Sequence, residues 1–135
     1  MPLWQEGLRI VTGKMPKAVQ PSTHAFIDCA IAGSFLLMAA RFWQQNRRAA
    51  VGSLICGGAA LANIVLTDYP GGAIDVISYK THGRVDGGLA GITAAVPRLM
   101  GFSNDPEAKV FGAMALAETL VAGITDFKHY ERDSA

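Results

Sequence analysis

Residues 23–69 and 81–127 align without a gap at a fixed offset of 58 positions, and the positions that agree are the polar ones. Thr23-His24-x-x-x-Asp28-x-x-x-Ala32-Gly33 recurs as Thr81-His82-x-x-x-Asp86-x-x-x-Ala90-Gly91. Asn46 recurs as Asn104, and Thr67-Asp68-Tyr69 recurs as Thr125-Asp126-Phe127. Most apolar positions have drifted between the two stretches. Polar agreement at a single offset marks an internal duplication, so the fold must accommodate two equivalent units.

Each unit holds two apolar stretches joined by a polar turn. Half of the residues are hydrophobic and 17% are charged, where a soluble domain carries about 25% charge. The charges fall at the edges of the apolar stretches. The pattern predicts helices over 23–43, 49–67, 81–100 and 106–127. Ser22 or Thr23 is expected to cap the first and Thr81 the third, because a hydroxyl satisfies an amide of the opening turn. Arg41, Phe42 and Trp43 form an interface-type end to the first helix. Residues 49–67 carry no charge, and at about 1.5 Å per residue they nearly match a hydrocarbon core of roughly 30 Å. The third stretch is the weakest: Arg84 and Asp86 sit near its start, and Pro97 is expected to kink or end it. Glu118 interrupts the fourth.

All four stretches are rich in Gly and Ala, as in Gly57-Gly58-Ala59-Ala60 and Gly87-Gly88-Leu89-Ala90-Gly91. Small residues let helices approach where lipid removes the hydrophobic drive between them. A soluble bundle would show a Leu/Ile stripe and a charged face. The expected fold is therefore all-α: a four-transmembrane-helix bundle of two tandem hairpins with pseudo-two-fold symmetry about the membrane normal. The expected organisation is an amphipathic N-terminal leader and linker (1–21) and a membrane domain (22–135). The latter divides into repeat 1 (22–69), a connector (70–79), repeat 2 (80–127) and a polar tail (128–135).

Net charge is +1, which argues against nucleic acid as a partner. Cys29 and Cys56 lie in apolar stretches outside any CxxC pattern and read as small buried thiols. No cleavable signal peptide or lipidation pattern is visible. The cations Arg9, Lys14, Lys17, Lys80, Arg84, Lys128 and Arg132 fall at the end bearing the termini, against Arg41, Arg47, Arg48, Arg98 and Lys109 at the other. That excess favours a cell-membrane protein with both termini in the cytoplasm.

The duplication places His24, Asp28, Asp68, His82, Asp86 and Asp126 in one layer. His and Asp four apart share a helix face, and Asp28 and Asp86 lie deep enough to require inward, paired positions. Asp68 and Asp126 fall at helix C-termini, where the macrodipole disfavours an anion, so His24 and His82 are their expected partners. One role for this layer is to clasp helix ends together. A second is to hold a transition metal through His24, Asp28, His82 and Asp86, since imidazole and carboxylate suit iron, manganese or zinc. A third is axial ligation of haem b by His24 and His82, and a fourth is proton or ion passage. Glu118 is either a further functional carboxyl or a neutral one bonded through Thr93, Thr119 or a backbone carbonyl.

No nucleophile motif, phosphate loop or dinucleotide fingerprint is present. The leading expectation is a non-enzymatic scaffold or accessory subunit that contacts the lipid bilayer and forms a homo-oligomer or joins a larger membrane complex. A metal- or haem-binding redox protein and a proton- or ion-coupled transporter subunit are the alternatives.

Overall fold

The computed structural model describes Leu3 and residues 17–127. The expected leader, apart from Leu3 and its last residues, and the expected tail lie outside the described residues. Among those described, the chain is all-helical with four helices and no strand: α1 (Pro21–Phe42), α2 (Arg47–Val65), α3 (Tyr79–Leu99) and α4 (Glu107–Ile124).

Helix ends explain themselves locally. Pro21 stands at the start of α1 after an extended Gln20 with no side-chain cap bond; its fixed φ suits the first turn and its missing N–H is no loss there. Thr23 is therefore inside the helix and is not its cap. Nor is Thr81: Ser78 occupies the cap position of α3, and its Oγ accepts from Thr81 N at 3.1 Å. Asn46 caps α2 by accepting from Ala49 N. Its amide also donates to Asp105 and Glu107 at 2.9 and 3.0 Å, tying the two hairpin turns together. Pro97 does not break α3, which runs on to Leu99. The helix then closes through Gly101 at φ +76. Gly101 N donates to Arg98 O and Phe102 N to Pro97 O, a left-handed glycine closure that turns Phe102 into the core.

α1 packs on α2 and α3 on α4 as two hairpins, α2 lies against α3, and α1 touches α4 only slightly. Backbones approach closely where glycine allows it: a Cβ on Gly57 would stand 2.9 Å from Phe35 Cβ, and one on Gly52 2.7 Å from Val96 Cγ1. At the hairpin-turn end, Phe35, Phe42, Val96, Phe102 and Phe111 form an apolar core. At the other end the interior is built differently, from tyrosines, histidines and carboxylates.

There the chain segments outside the helices fold across one another. Ile77 N donates to Leu66 O and Asp68 N to Ile77 O; Val19 N donates to Ile124 O and Asp126 N to Val19 O. These are the same two bonds displaced by 58 positions and exchanged between halves. The residues leading into each hairpin thus pair with the residues leaving the other one. Ala18 N likewise bonds Ile124 O as Val76 N bonds Leu66 O, at the same offset.

α1 and α2 are long and apolar enough to cross a membrane. α3 and α4 are not by the same measure, since α3 carries Lys80, Arg84, Asp86 and Arg98, and α4 carries Glu107, Lys109 and Glu118.

Gly101→Ala is expected to destabilise the protein by about 1–2 kcal/mol, the cost of a left-handed Cβ. Gly33→Ala adds a methyl that meets nothing within 4 Å and should leave the melting temperature unchanged or higher. Thermal melts of the two variants check the contrast.

Candidate functional site

The first turns of α1 and α3 bring His24, Asp28, His82 and Asp86 into one cluster, in which a ligand atom from each residue lies within 4.8 Å of all the others. Both histidines are fully buried, and the Asp28 and Asp86 side chains are 10% and 16% exposed. His24 Nε2 stands 3.2 Å from Asp28 Oδ1 and 3.0 Å from Asp86 Oδ2. His82 Nε2 stands 2.9 Å from Asp28 Oδ2 and 3.1 Å from Asp86 Oδ2. Each imidazole therefore faces one carboxylate of its own helix, through the i,i+4 spacing, and one of the other half.

The outer ring nitrogens are held by threonines. Thr125 Oγ1 donates to Val121 O at 2.6 Å, so its lone pair is what faces His24 Nδ1 at 2.8 Å. Thr67 Oγ1 likewise donates to Asn63 O, and His82 Nδ1 lies 2.8 Å from it. Both Nδ1 atoms must carry protons to make these contacts. Each threonine belongs to the opposite half from its histidine. With Nδ1 settled, the chemistry of the centre lies at the two Nε2 atoms. Two arrangements satisfy an Nε2 set between carboxylates: an N–H donor on each imidazole, or bare lone pairs sharing a cation with the carboxylates.

The carboxylates are held from behind as well. Tyr69 Oη donates to Asp28 Oδ2 at 2.9 Å, and Asn63 Nδ2 to Asp86 Oδ1 at 2.8 Å. Burial, and after it the Asp28 carboxylate, pushes the Tyr69 phenol above its ordinary pKa, so it remains a donor. Aromatic rings wall the cluster. Tyr69 lies 4.7 Å from the His82 ring, and Phe127 lies 5.1 Å from the His24 ring. Gly83 makes room for Phe127, whose ring a Cβ would approach to 2.8 Å.

Asp68 and Asp126 stand outside the cluster. Asp68 is exposed and Asp126 half-buried, whereas Thr67, Tyr69 and Thr125 are buried. Burial alternates past the end of α2: positions 67 and 69 are inward and position 68 is outward. The histidines therefore meet threonine hydroxyls where the helix-end aspartates were expected. Tyr69, Asn63 and the cross-half role of both threonines were missed. Thr67 and Thr125 recur at the 58-residue offset, which was a usable signal; Tyr69 and Asn63 stand opposite Phe127 and Val121 and had none.

Glu118 is buried in α4 and accepts from Thr93 Oγ1 at 3.2 and 3.4 Å. A cavity of about 30 Å³ separates it from the cluster, lined by Asp28, Asp86 and Glu118 with Ile31, Ile64, Leu89 and Val121. That is room for about two water molecules. Cys56 is buried, as expected, but Cys29 is exposed on the outer face of α1.

Removing one partner from a buried pair costs about 3–5 kcal/mol, so Asp28→Asn is expected to lower thermal stability strongly. Tyr69→Phe, which leaves Asp28 both imidazoles, is expected to cost about 1 kcal/mol. Melting curves under one set of conditions rank the two; a larger loss from Tyr69→Phe would contradict the geometry. No family model, curated protein or solved structure matches this chain, so the chemistry of the centre rests on the residues themselves.

Proposed function

We propose that this chain is a small multi-pass integral membrane protein, a four-helix bundle duplicated from one hairpin, that serves as a scaffold or accessory subunit locked by its His/Asp centre. The observation that carries this reading is the inverted polarity of the bundle. Phe26, Leu37, Ile55, Ile92 and Leu116 are exposed, with Phe26 and Leu37 at 76% and 74%, while His24, His82, Asp28, Glu118, Asn63, Ser53 and Thr93 are buried. Water favours the reverse; a bilayer favours this arrangement, because apolar faces meet lipid and polar groups pair inside.

The charges that weaken α3 and α4 as spans are compatible with it. Lys80, Arg84, Glu107 and Lys109 fall in opening turns and Arg98 in a closing one, where side chains reach an interface. Asp86 and Glu118 are the interior ones, and both are paired. The Arg47 guanidinium over the Trp43 ring, 4.2 Å from its centroid, fits an interfacial belt. Glycines 33, 58, 87, 88, 91 and 112 have open space where a Cβ would stand, which supports association with a further copy or a larger complex. Haem b between the imidazoles finds no support, since both Nε2 atoms lie on one oxygen of Asp86. A second reading, proton or ion passage, draws on the cavity joining Glu118 to Asp28 and Asp86.

Alkaline carbonate washing should leave the protein in the membrane pellet; release into the supernatant would overturn the membrane assignment. A C-terminal green fluorescent protein fusion should fluoresce, in line with cytoplasmic termini. In a double-mutant cycle, His24→Ala and Asp86→Ala should couple by about 0.5–3 kcal/mol, and simple additivity would remove the locking role. Glu118→Gln keeps a partner for Thr93 and should leave stability nearly unchanged. Loss of proton uptake by proteoliposomes in that variant would favour passage over scaffolding.

A further inference from the structure

We propose that His24, Asp28, His82 and Asp86 bind one divalent first-row transition-metal ion, through both Nε2 atoms and one oxygen of each carboxylate. This goes beyond the locking role and does not rest on it. The donor set is the first ground. Two imidazoles and two carboxylates from two helices converge on one point, with ligand atoms all within 4.8 Å of one another. The four nitrogen–oxygen contacts are 2.9–3.2 Å, with His24 and His82 on different oxygens of Asp28. A tetrahedral ion with bonds of about 2.0–2.2 Å sets its ligands about 3.4 Å apart, so the close pairs must spread by a few tenths of an ångström and pairs separated by up to 4.8 Å must draw together.

The second ground is the layer behind those ligands. A metal-bound histidine donates its other ring N–H to a fixed acceptor, which sets the tautomer and the ring plane. Both imidazoles are already held in that way, on Thr125 and Thr67 hydroxyls whose own protons are committed to Val121 O and Asn63 O. The carboxylates are steadied by Tyr69 and Asn63. A buried ion-paired imidazole needs such an acceptor too; the same hydroxyls preset both Nε2 atoms toward one point, and the device occurs twice.

Charge is the third. With neutral imidazoles the four side chains carry two negative charges, which a divalent ion cancels, leaving a neutral centre in an apolar surround. Imidazole donors favour zinc, iron or manganese over magnesium and calcium. The cavity beside Asp28 and Asp86 leaves space for a water ligand.

The test uses the full chain, purified in detergent, stripped with a chelator and titrated with cobalt chloride, then with zinc chloride as competitor. The expected result is one Co²⁺ per chain, with visible absorption of four- or five-coordinate cobalt that zinc abolishes. Thr67→Val and Thr125→Val, which keep the ligands and nearly the same shape, should each weaken binding about 10–100-fold. His24→Gln with His82→Gln should remove it, with helicity checked by circular dichroism. No saturable uptake by the wild type, or uptake that the threonine variants leave unchanged, would overturn the proposal. A His24→Gln protein that melts lower beside a wild type that takes up no cobalt would likewise overturn it, while leaving the locking role intact.

Discussion

Two carboxylates cannot enter an apolar interior without compensation, and this constraint organises the terminal end of the bundle. Placing an unpaired anion there costs several kcal/mol, so Asp28 and Asp86 must meet donors or cations on every exposed lone pair. The structure meets the demand with His24, His82, Tyr69 and Asn63. The imidazoles then need acceptors of their own, which Thr67 and Thr125 provide. Because those threonines follow the ends of α2 and α4, the crossed backbone bonds of residues 66–68 with 76–77 and of 124–126 with 18–19 follow from the same demand. The bundle is held at its other end by an ordinary aromatic core.

The two halves share their crossed backbone bonds and differ in chemistry. Asp28 receives a phenol from Tyr69, and the corresponding ring on the other side is Phe127. Asp86 receives a carboxamide from Asn63, and the corresponding residue is Val121. Each aspartate thus has one extra donor, of a different kind. Glu118 adds to the inequality, since its counterpart is Ala60. The cavity beside Asp28 and Asp86 is lined by Glu118 from α4 and by its counterpart Ala60 from α2.

Much of this was legible in the sequence, and the rest failed for identifiable reasons. The apolar stretches placed four helices to within about three residues at each boundary, and the His-x-x-x-Asp spacing identified the cluster. The pairing of those groups was not legible. A carboxylate at a helix end looks as though it needs the nearest histidine, but Asp68 lies at the surface between the buried Thr67 and Tyr69. Which threonine caps was also misjudged, because Pro21 and Ser78 each begin a helix two or three residues earlier than the threonines do. Nothing in one dimension reveals that a small void lies between Glu118 and the carboxylates of the cluster. Only α1 and α2 are apolar enough to count as spans; the charges of α3 and α4 lower their average, since end charges and paired interior charges count alike in any average over sequence.

The exchange of lead-in and departing segments bears on how little chain such a centre needs. One hairpin alone supplies a histidine, an aspartate and a threonine, yet its threonine is positioned for the neighbour's ring and its aspartate is shared with it. A solitary hairpin is thus left with unsatisfied groups. Two identical half-length chains related by a two-fold rotation would regenerate the full set of ring, carboxylate and hydroxyl contacts. The covalent link between the halves is what frees positions 63, 69 and 118 to differ from their counterparts, a divergence unavailable to a symmetric pair.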